Sequence, residues 1–221
     1  MVKKNNFLLI LQARQNSTRF PNKVLQKIHG IPLIIFLLKK LNKCKKVDQV
    51  VTVIPKNKKN KDLKKILQKY NFQHFEGSEK NVLERFYLCA KKFNSKNIIR
   101  ITADCPLSDP QIIDKFTQIF KNKNVDYLSN GNPPTFPDGF DVEIFTFNAL
   151  EKSYFSAKSL YEKEHVTPYI KKNNFFSKYN VINKIDLSNI RLTVDYVEDL
   201  IVVKKIISQI KNKADYSLEN V

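Results

Sequence analysis

The chain has 221 residues, 42% hydrophobic and 11% aromatic, which is long and apolar enough to bury a core. Its 39 Lys and Arg against 21 Asp and Glu leave a net charge of +18, a balance that favours polyanionic partners. No apolar run reaches bilayer length, and Cys44, Cys89 and Cys105 are odd in number and far apart, which excludes a membrane insertion, a disulfide scaffold and a zinc site.

In chain order, residues 7–12 form a compact apolar run expected to be a buried strand. That run is too short for a signal-peptide core and leads straight into Gln12 and Arg14. Helical length with Pro32 near the start predicts a helix over 32–41. A strand follows at 49–54, a helix at 61–70 and a short strand at 71–75. Apolar residues at 82, 83, 86, 89, 90 and 93 predict a helix over 78–92 with Ser78 as its N-cap. Next come a buried strand at 97–102, a helix at 109–120, strands at 125–129 and 142–147, and a helix at 148–156. A late strand at 191–194 precedes a helix over 197–211. No repeat and no Pro/Gly/Ser linker interrupts this order, so residues 1–221 are read as one domain.

Strands alternating with helices predict an α/β three-layer sandwich around a mostly parallel sheet. Ligands of such sheets sit at the carboxyl ends of strands, which points to the loops after Gln12, Thr102 and Val194.

The charge itself is a weak guide. Only five of the 39 basic residues are arginines, and lysine and asparagine are inflated together, so much of the +18 is a solvated surface and no nucleic-acid partner is expected. The scarce arginines are more informative, because the planar fork of Arg suits phosphate in a way Lys does not. Two of them lie in the loop Gln12-Ala-Arg-Gln-Asn-Ser-Thr-Arg-Phe-Pro-Asn-Lys23, where Arg14, Ser17, Arg19 and Lys23 gather three cations and a hydroxyl. A triphosphate needs several converging donors and positive charge against the leaving group. The loop matches neither of the glycine-rich phosphate-binding patterns, G-x-x-x-x-G-K-[ST] and G-x-G-x-x-G.

Asp104 ends the buried run Ile98-Ile-Arg-Ile-Thr-Ala-Asp104, a position suited to Mg²⁺ and equally to a turn or helix cap. Arg191-Leu-Thr-Val-Asp195 repeats the pattern near the end of the chain. Glu198 and Asp199 suit the dipole of the helix that follows. Asp138 before Gly139 also reads as a turn residue, and Glu164 and His165 also suit helix capping or mutual pairing. His29 and His74 are read as structural, and Cys105 as a packing residue.

The stretches QARQNSTRFPNKVL, FEGSEKNVLERF, IIRITADCPLSDP, PDGFDVEIF, EKEHVTPYI and RLTVDYVEDL run in order from 12 to 200. Together they resemble the nucleotide-sugar cytidylyltransferases, the acylneuraminate and 3-deoxy-manno-octulosonate enzymes among them. The resemblance is strongest to the SpsF-like branch named for spore-coat polysaccharide synthesis. Asn16 departs from it, standing where the family usually has Gly.

The resemblance implies a GT-A-like nucleotide-diphospho-sugar transferase fold and a cytoplasmic, Mg²⁺-dependent transfer of a cytidylyl group from CTP. Arg14 and Lys23 would act nearest the phosphorus under attack, with Ser17 and Arg19 completing the triphosphate site. Gln12 and Ala13 would meet the base, and Gly77, Ser78, Asn81 and Arg85 would close the nucleotide pocket. Asp104 and Asp195 would carry the metal, while Asp138, Glu143, Glu164, His165 and Arg191 would line the acceptor side. A small phosphorylated acceptor is favoured over a sugar acid, the product feeds surface-polysaccharide assembly, and a homodimer is expected with a monomer as the alternative. Two rival readings remain: a metal-dependent GT-A glycosyltransferase, and a basic nucleic-acid-binding module. Against the first, Asp104 is followed by Cys105 and Pro106 rather than completing a DxD motif.

Overall fold

The structure is a computed structural model that describes residues 5–210 and 217–221. Strand β1 (Asn5–Gln12) supplies the axis of the fold. Its side chains alternate: Phe7, Leu9 and Leu11 face one apolar layer, and Leu8 and Ile10 face the other. β1 is flanked in parallel by β4 (Gln49–Pro55) and β6 (Ser95–Thr102), and β5 (His74–Gly77) continues beyond β4. On the other side come β8 (Glu143–Thr146), β7 (Tyr127–Ser129) and β9 (Lys178–Asn180), in the order β5-β4-β1-β6-β8-β7-β9. Of these seven strands only β8 runs against the rest. A separate two-stranded hairpin pairs β2 (Lys27–Ile28) with β3 (Ile31–Pro32).

Helices cover both faces, as a sheet buried on both sides requires. Against the first lie α1 (Leu33–Leu41), α2 (Lys61–Lys69), α4 (Pro110–Lys123) and α8 (Val197–Gln209). Against the second lie α3 (Val82–Lys92) and α5 (Phe147–Ser156). The short helices α6 (Leu160–His165) and α7 (Pro168–Lys172) pack against α3 and α5 respectively. Among the described residues no helix is long and apolar enough to cross a membrane.

Three sequence expectations shift. The helix expected from Ser78 starts at Val82, because Asn81 caps it by accepting from the Glu84 amide at 3.0 Å, while Ser78 Oγ accepts from the Asn81 amide in the preceding turn. The strand expected over 71–75 is displaced to His74–Gly77, following a turn in which Asn71 has φ 56°. Residues 191–194 are extended but form no strand, since their hydrogen bonds go to two different loops. Leu192 donates to Asp138 O at 2.7 Å and Val194 donates to Asp104 O at 2.8 Å. Residue 211, where the last helix was expected to end, lies outside the described residues.

Candidate active site

The carboxyl ends of β1 and β6 lie level, with Gln12 beside Thr102. The ladder runs one residue further on each side, through Ala13 N to Val53 O at 3.1 Å and Ala103 N to Gln12 O at 2.9 Å. Beyond these alanines the chain turns away, and the loop to residue 23 arches over a cleft of about 800 Å³. Buried Phe20 and Val24 anchor the far end of the loop in the core. Gln12, Ala13, Arg14, Ser17, Arg19 and Lys23 all line the cleft.

Lys23 is the charge centre. It is 7% exposed, and its ammonium lies between two carboxylates, 3.0 Å from Asp104 Oδ2 and 2.9 Å from Asp195 Oδ1. Arg19 closes on the other oxygen of Asp195 at 2.6 Å. Burial alone would raise the Asp104 pKa, but the Lys23 charge and a Thr102 hydrogen bond hold it below the ordinary range. Asp195 is fixed from behind: Asp199 accepts from the Asp195 and Tyr196 amides at 2.7 and 2.8 Å, and from Arg191 at 2.9 Å.

Arg85 forms a second basic wall. It is 2% exposed, and NH1 donates to Ser78 O at 3.0 Å, while its buried Nε has no partner. Burial first, and repulsion from Arg14 second, lower its pKa to about 10. Gly77 makes room for this side chain, since a Cβ there would lie 3.0 Å from Arg85 Cγ. Gly77, Ser78 and Asn81 therefore stand behind the wall, their visible contacts shaping the turn that carries Arg85.

A pocket of about 330 Å³ adjoins the cleft and shares Thr102, Asp104 and Asp195 with it. Asp138, Asp141 and Glu143 line its far side. Gly139 holds Asp138 in place: it has φ +110°, and a Cβ would strike Leu192 C at 2.9 Å, so only glycine allows the two loops to meet.

A model of the cytidylyltransferase family matches residues 8–220. The chain belongs to that family. It is 38% identical over 193 residues to the uncharacterized protein MJ1063 of Methanocaldococcus jannaschii, covering 86% of this chain and 78% of that protein. It is 29% identical over 221 residues to the spore coat polysaccharide biosynthesis protein SpsF of Bacillus subtilis, covering 96% and 91%. A solved cytidylyltransferase from Leptospira borgpetersenii superposes with a TM-score of 0.91 at 32% identity, covering 96% of this chain and 90% of the other. The α/β fold with its mostly parallel sheet is thus that of a nucleotidyltransferase, and the chain is a CTP-dependent enzyme of the SpsF-like branch.

In this cytidylyltransferase Glu143 lines the smaller pocket and is also held by four side chains. Tyr127 OH, Thr167 Oγ1 and Lys171 Nζ reach its Oε1 at 2.5, 2.8 and 2.7 Å, and Arg100 NH1 reaches Oε2. Burial would raise its pKa, yet Arg100 and Lys171 outweigh that and hold it at about 2. Arg100 also donates from Nε and NH2 to Gln12 Oε1 at 3.3 and 3.1 Å, which orients the Gln12 side chain. Glu143 is thus the knot that joins β6, β7, β8 and α7 beneath both pockets.

His165 lies on the rim between the cleft and a third hollow, its ring 4.6 Å from that of Tyr161. Glu164 lines the cleft one residue before it, and Arg191 stands outside, 3.7 Å from both Asp138 and Asp195. The rim is held by a tight turn at Val166, where φ is +70° and the Thr167 amide donates to His165 O at 2.8 Å. Such a conformation strains a β-branched residue by about 1–3 kcal/mol, and full burial of Val166 offsets it.

Sequence reading did not single out Gln15, Arg100 or Lys171. Gln15 is buried and ties the loop after β1 to α2: its amide donates to Asn60 Oδ1 at 2.8 Å, and its Oε1 accepts from Leu63 N at 3.1 Å. The scarcity of arginine was a usable signal for Arg100, whereas Gln15 and Lys171 carry none.

Asp104 and Asp195 also pass a chemical test for Mg²⁺. Both aim an oxygen at one point, now held by the Lys23 ammonium, and Mg²⁺ is bound through one or two carboxylates with phosphate oxygens and water. No group of three or more His, Cys, Asp or Glu side chains suited to a metal occurs among the described residues.

Proposed function

We propose that the enzyme transfers the cytidylyl group of CTP to a small acceptor, with Mg²⁺ held by Asp104 and Asp195. The observation that carries this reading is the convergence of Lys23, Arg19, Asp104 and Asp195 where the large cleft meets the smaller pocket. The triphosphate lies in the cleft against Arg14, Ser17, Arg19 and Lys23, backed by Arg85, with the base near Gln12 and Ala13. An acceptor oxygen attacks the α-phosphorus in line, a new P–O bond forms, and the bond to the β-phosphate breaks so that pyrophosphate leaves with the electron pair. Such chemistry depends on positioning and charge neutralisation rather than on covalent work by the protein. When bound, Mg²⁺ would supply further neutralisation of phosphate charge.

The acceptor enters the adjoining pocket past Asp138, with Arg191 beside it. A phosphorylated small molecule is favoured, because its phosphate is already an anionic nucleophile and needs no base. A sugar acid is the second choice; the proton of its attacking hydroxyl would go to His165 or Glu164 on the rim. The name of the Bacillus subtilis relative supports a role in surface-polysaccharide synthesis. A nucleotide substrate fits a cytoplasmic site of action.

The test is pyrophosphate release in Mg²⁺ with CTP, UTP, GTP or ATP and a panel of phosphorylated small molecules and 2-keto sugar acids. Release with CTP and one acceptor class is expected. Absence of CTP binding, or glycosyl transfer from a nucleotide sugar without pyrophosphate, would overturn the reading.

A further inference from the structure

We propose that Lys23 and Arg19 form with Asp104 and Asp195 a self-neutralised latch that the triphosphate and its divalent cation open only together. The inference rests on the cytidylyl-transfer reading and goes beyond it in giving Asp195 an opposing role. The cations that would hold the triphosphate and the carboxylates that would hold the metal are each other's partners in this structure. Lys23 joins both carboxylates, at 3.0 and 2.9 Å, and Arg19 takes the remaining oxygen of Asp195 at 2.6 Å. Lys23 is too deeply buried to exchange these partners for water.

Each ligand alone therefore meets a penalty. A metal-free triphosphate that draws Lys23 and Arg19 to itself leaves Asp104 without its lysine and Asp195 with only Arg191 at 3.7 Å, both facing a polyanion, a like-charge arrangement that is strongly unfavourable. A divalent cation that takes both carboxylates without a nucleotide lies beside a buried, unpaired ammonium. When both enter, one set of opposite-charge contacts is replaced by two, and the negative charge that remains on the triphosphate faces Arg14 and Arg85 in the same cleft. The coupling is reciprocal: whatever factor the metal adds to CTP affinity, CTP adds to metal affinity.

The arrangement separates this site from the Glu143 knot, where donors from several elements converge on one carboxylate. It also gives an unusual sign. Removing the charge of a metal-holding carboxylate should improve the binding of metal-free CTP.

Isothermal titration of CTP into the full chain, in EDTA and in Mg²⁺, tests this on the wild type, Asp195→Asn and Asp104→Asn, with circular dichroism confirming the fold of each. In the wild type, affinity in EDTA is expected to be at least about tenfold weaker than in Mg²⁺. In Asp195→Asn the EDTA affinity should rise by roughly tenfold and the gain from Mg²⁺ should shrink. Asp104→Asn should behave alike. The variants distinguish the latch from Mg²⁺ that merely accompanies CTP in solution, which no substitution in the protein would invert. Unchanged or weaker EDTA affinity in both folded variants would overturn the latch while leaving cytidylyl transfer intact. No binding of CTP by the folded wild type in Mg²⁺ would remove both.

Discussion

Two carboxylate centres line the same small pocket in this fold, and they use opposite charges for different ends. At Glu143 one carboxylate is gripped by Arg100, Lys171, Tyr127 and Thr167, which come from β6, β7 and the α6–α7 region. At the cleft one ammonium is divided between Asp104 and Asp195, and a guanidinium more than half exposed supports only one of them. The first arrangement is closed on itself and ties the antiparallel strand β8 to its two neighbours and to α7. The second is exchangeable, because each partner can find an equivalent charge in a ligand. Ion pairs of similar length thus serve as a rivet in one place and as a reserved seat in the other.

Substitutions can break that contrast. Lys23→Ala should lower turnover by roughly a hundred- to a thousandfold, read as pyrophosphate release, while the far-ultraviolet dichroism of the enzyme stays native. A fall of less than tenfold would mean that the lysine is structural after all. Glu143→Ala should do the reverse, reducing stability by about 3–5 kcal/mol in urea unfolding, because it strands the largely buried Arg100 without its carboxylate. The contribution of Glu143 should depend on pH with a defined sign. Its pKa lies near 2 in the fold against an ordinary 4.5, so its stabilisation is complete above about pH 4.5 and disappears as pH falls towards 2. Comparing wild type with Glu143→Gln across that window should show the gap closing on acidification; a gap independent of pH would assign the stabilisation to packing. The smallest effect belongs to the wall behind the nucleotide. Gly77→Ala should press on Arg85 and raise the KM for CTP by roughly tenfold or less, with kcat changing less than KM.

The legibility of these two centres from sequence was unequal. Lys23 and Asp104 stood out in the sequence as a cation in an arginine-bearing loop and an acid just past a buried strand, and the fold brings both to Asp195, although the segment before Asp195 forms no strand. Glu143 was read as an acceptor-side residue and does line the smaller pocket, but its ion pair depends on the register of β8 against β6, which sets it opposite Arg100. No periodicity in a single strand reveals which residue will stand across from it. Local competition misled in the same way at Ser78, where Asn81 is an equally good cap and lies nearer the apolar stripe. The segment 191–194 looked like a strand because its composition is that of one; the loops at Asp104 and Asp138 claim its hydrogen bonds instead. Val166 could not be foreseen at all, since its left-handed backbone contradicts the preference of its side chain and is imposed by the contacts on either side.

The sequence distance across the charge centre carries a consequence for synthesis. Lys23 and Asp104 are separated by 81 positions, Lys23 and Asp195 by 172. At typical elongation rates the second carboxylate leaves the ribosome roughly ten to thirty seconds after the lysine. Throughout that interval the growing chain has the basic loop after β1 but not the second acid that pairs with it. A nascent or truncated polypeptide therefore gains the charge centre only when the segment around residue 195 docks, so that this late segment acts as an arming pin for the nucleotide site.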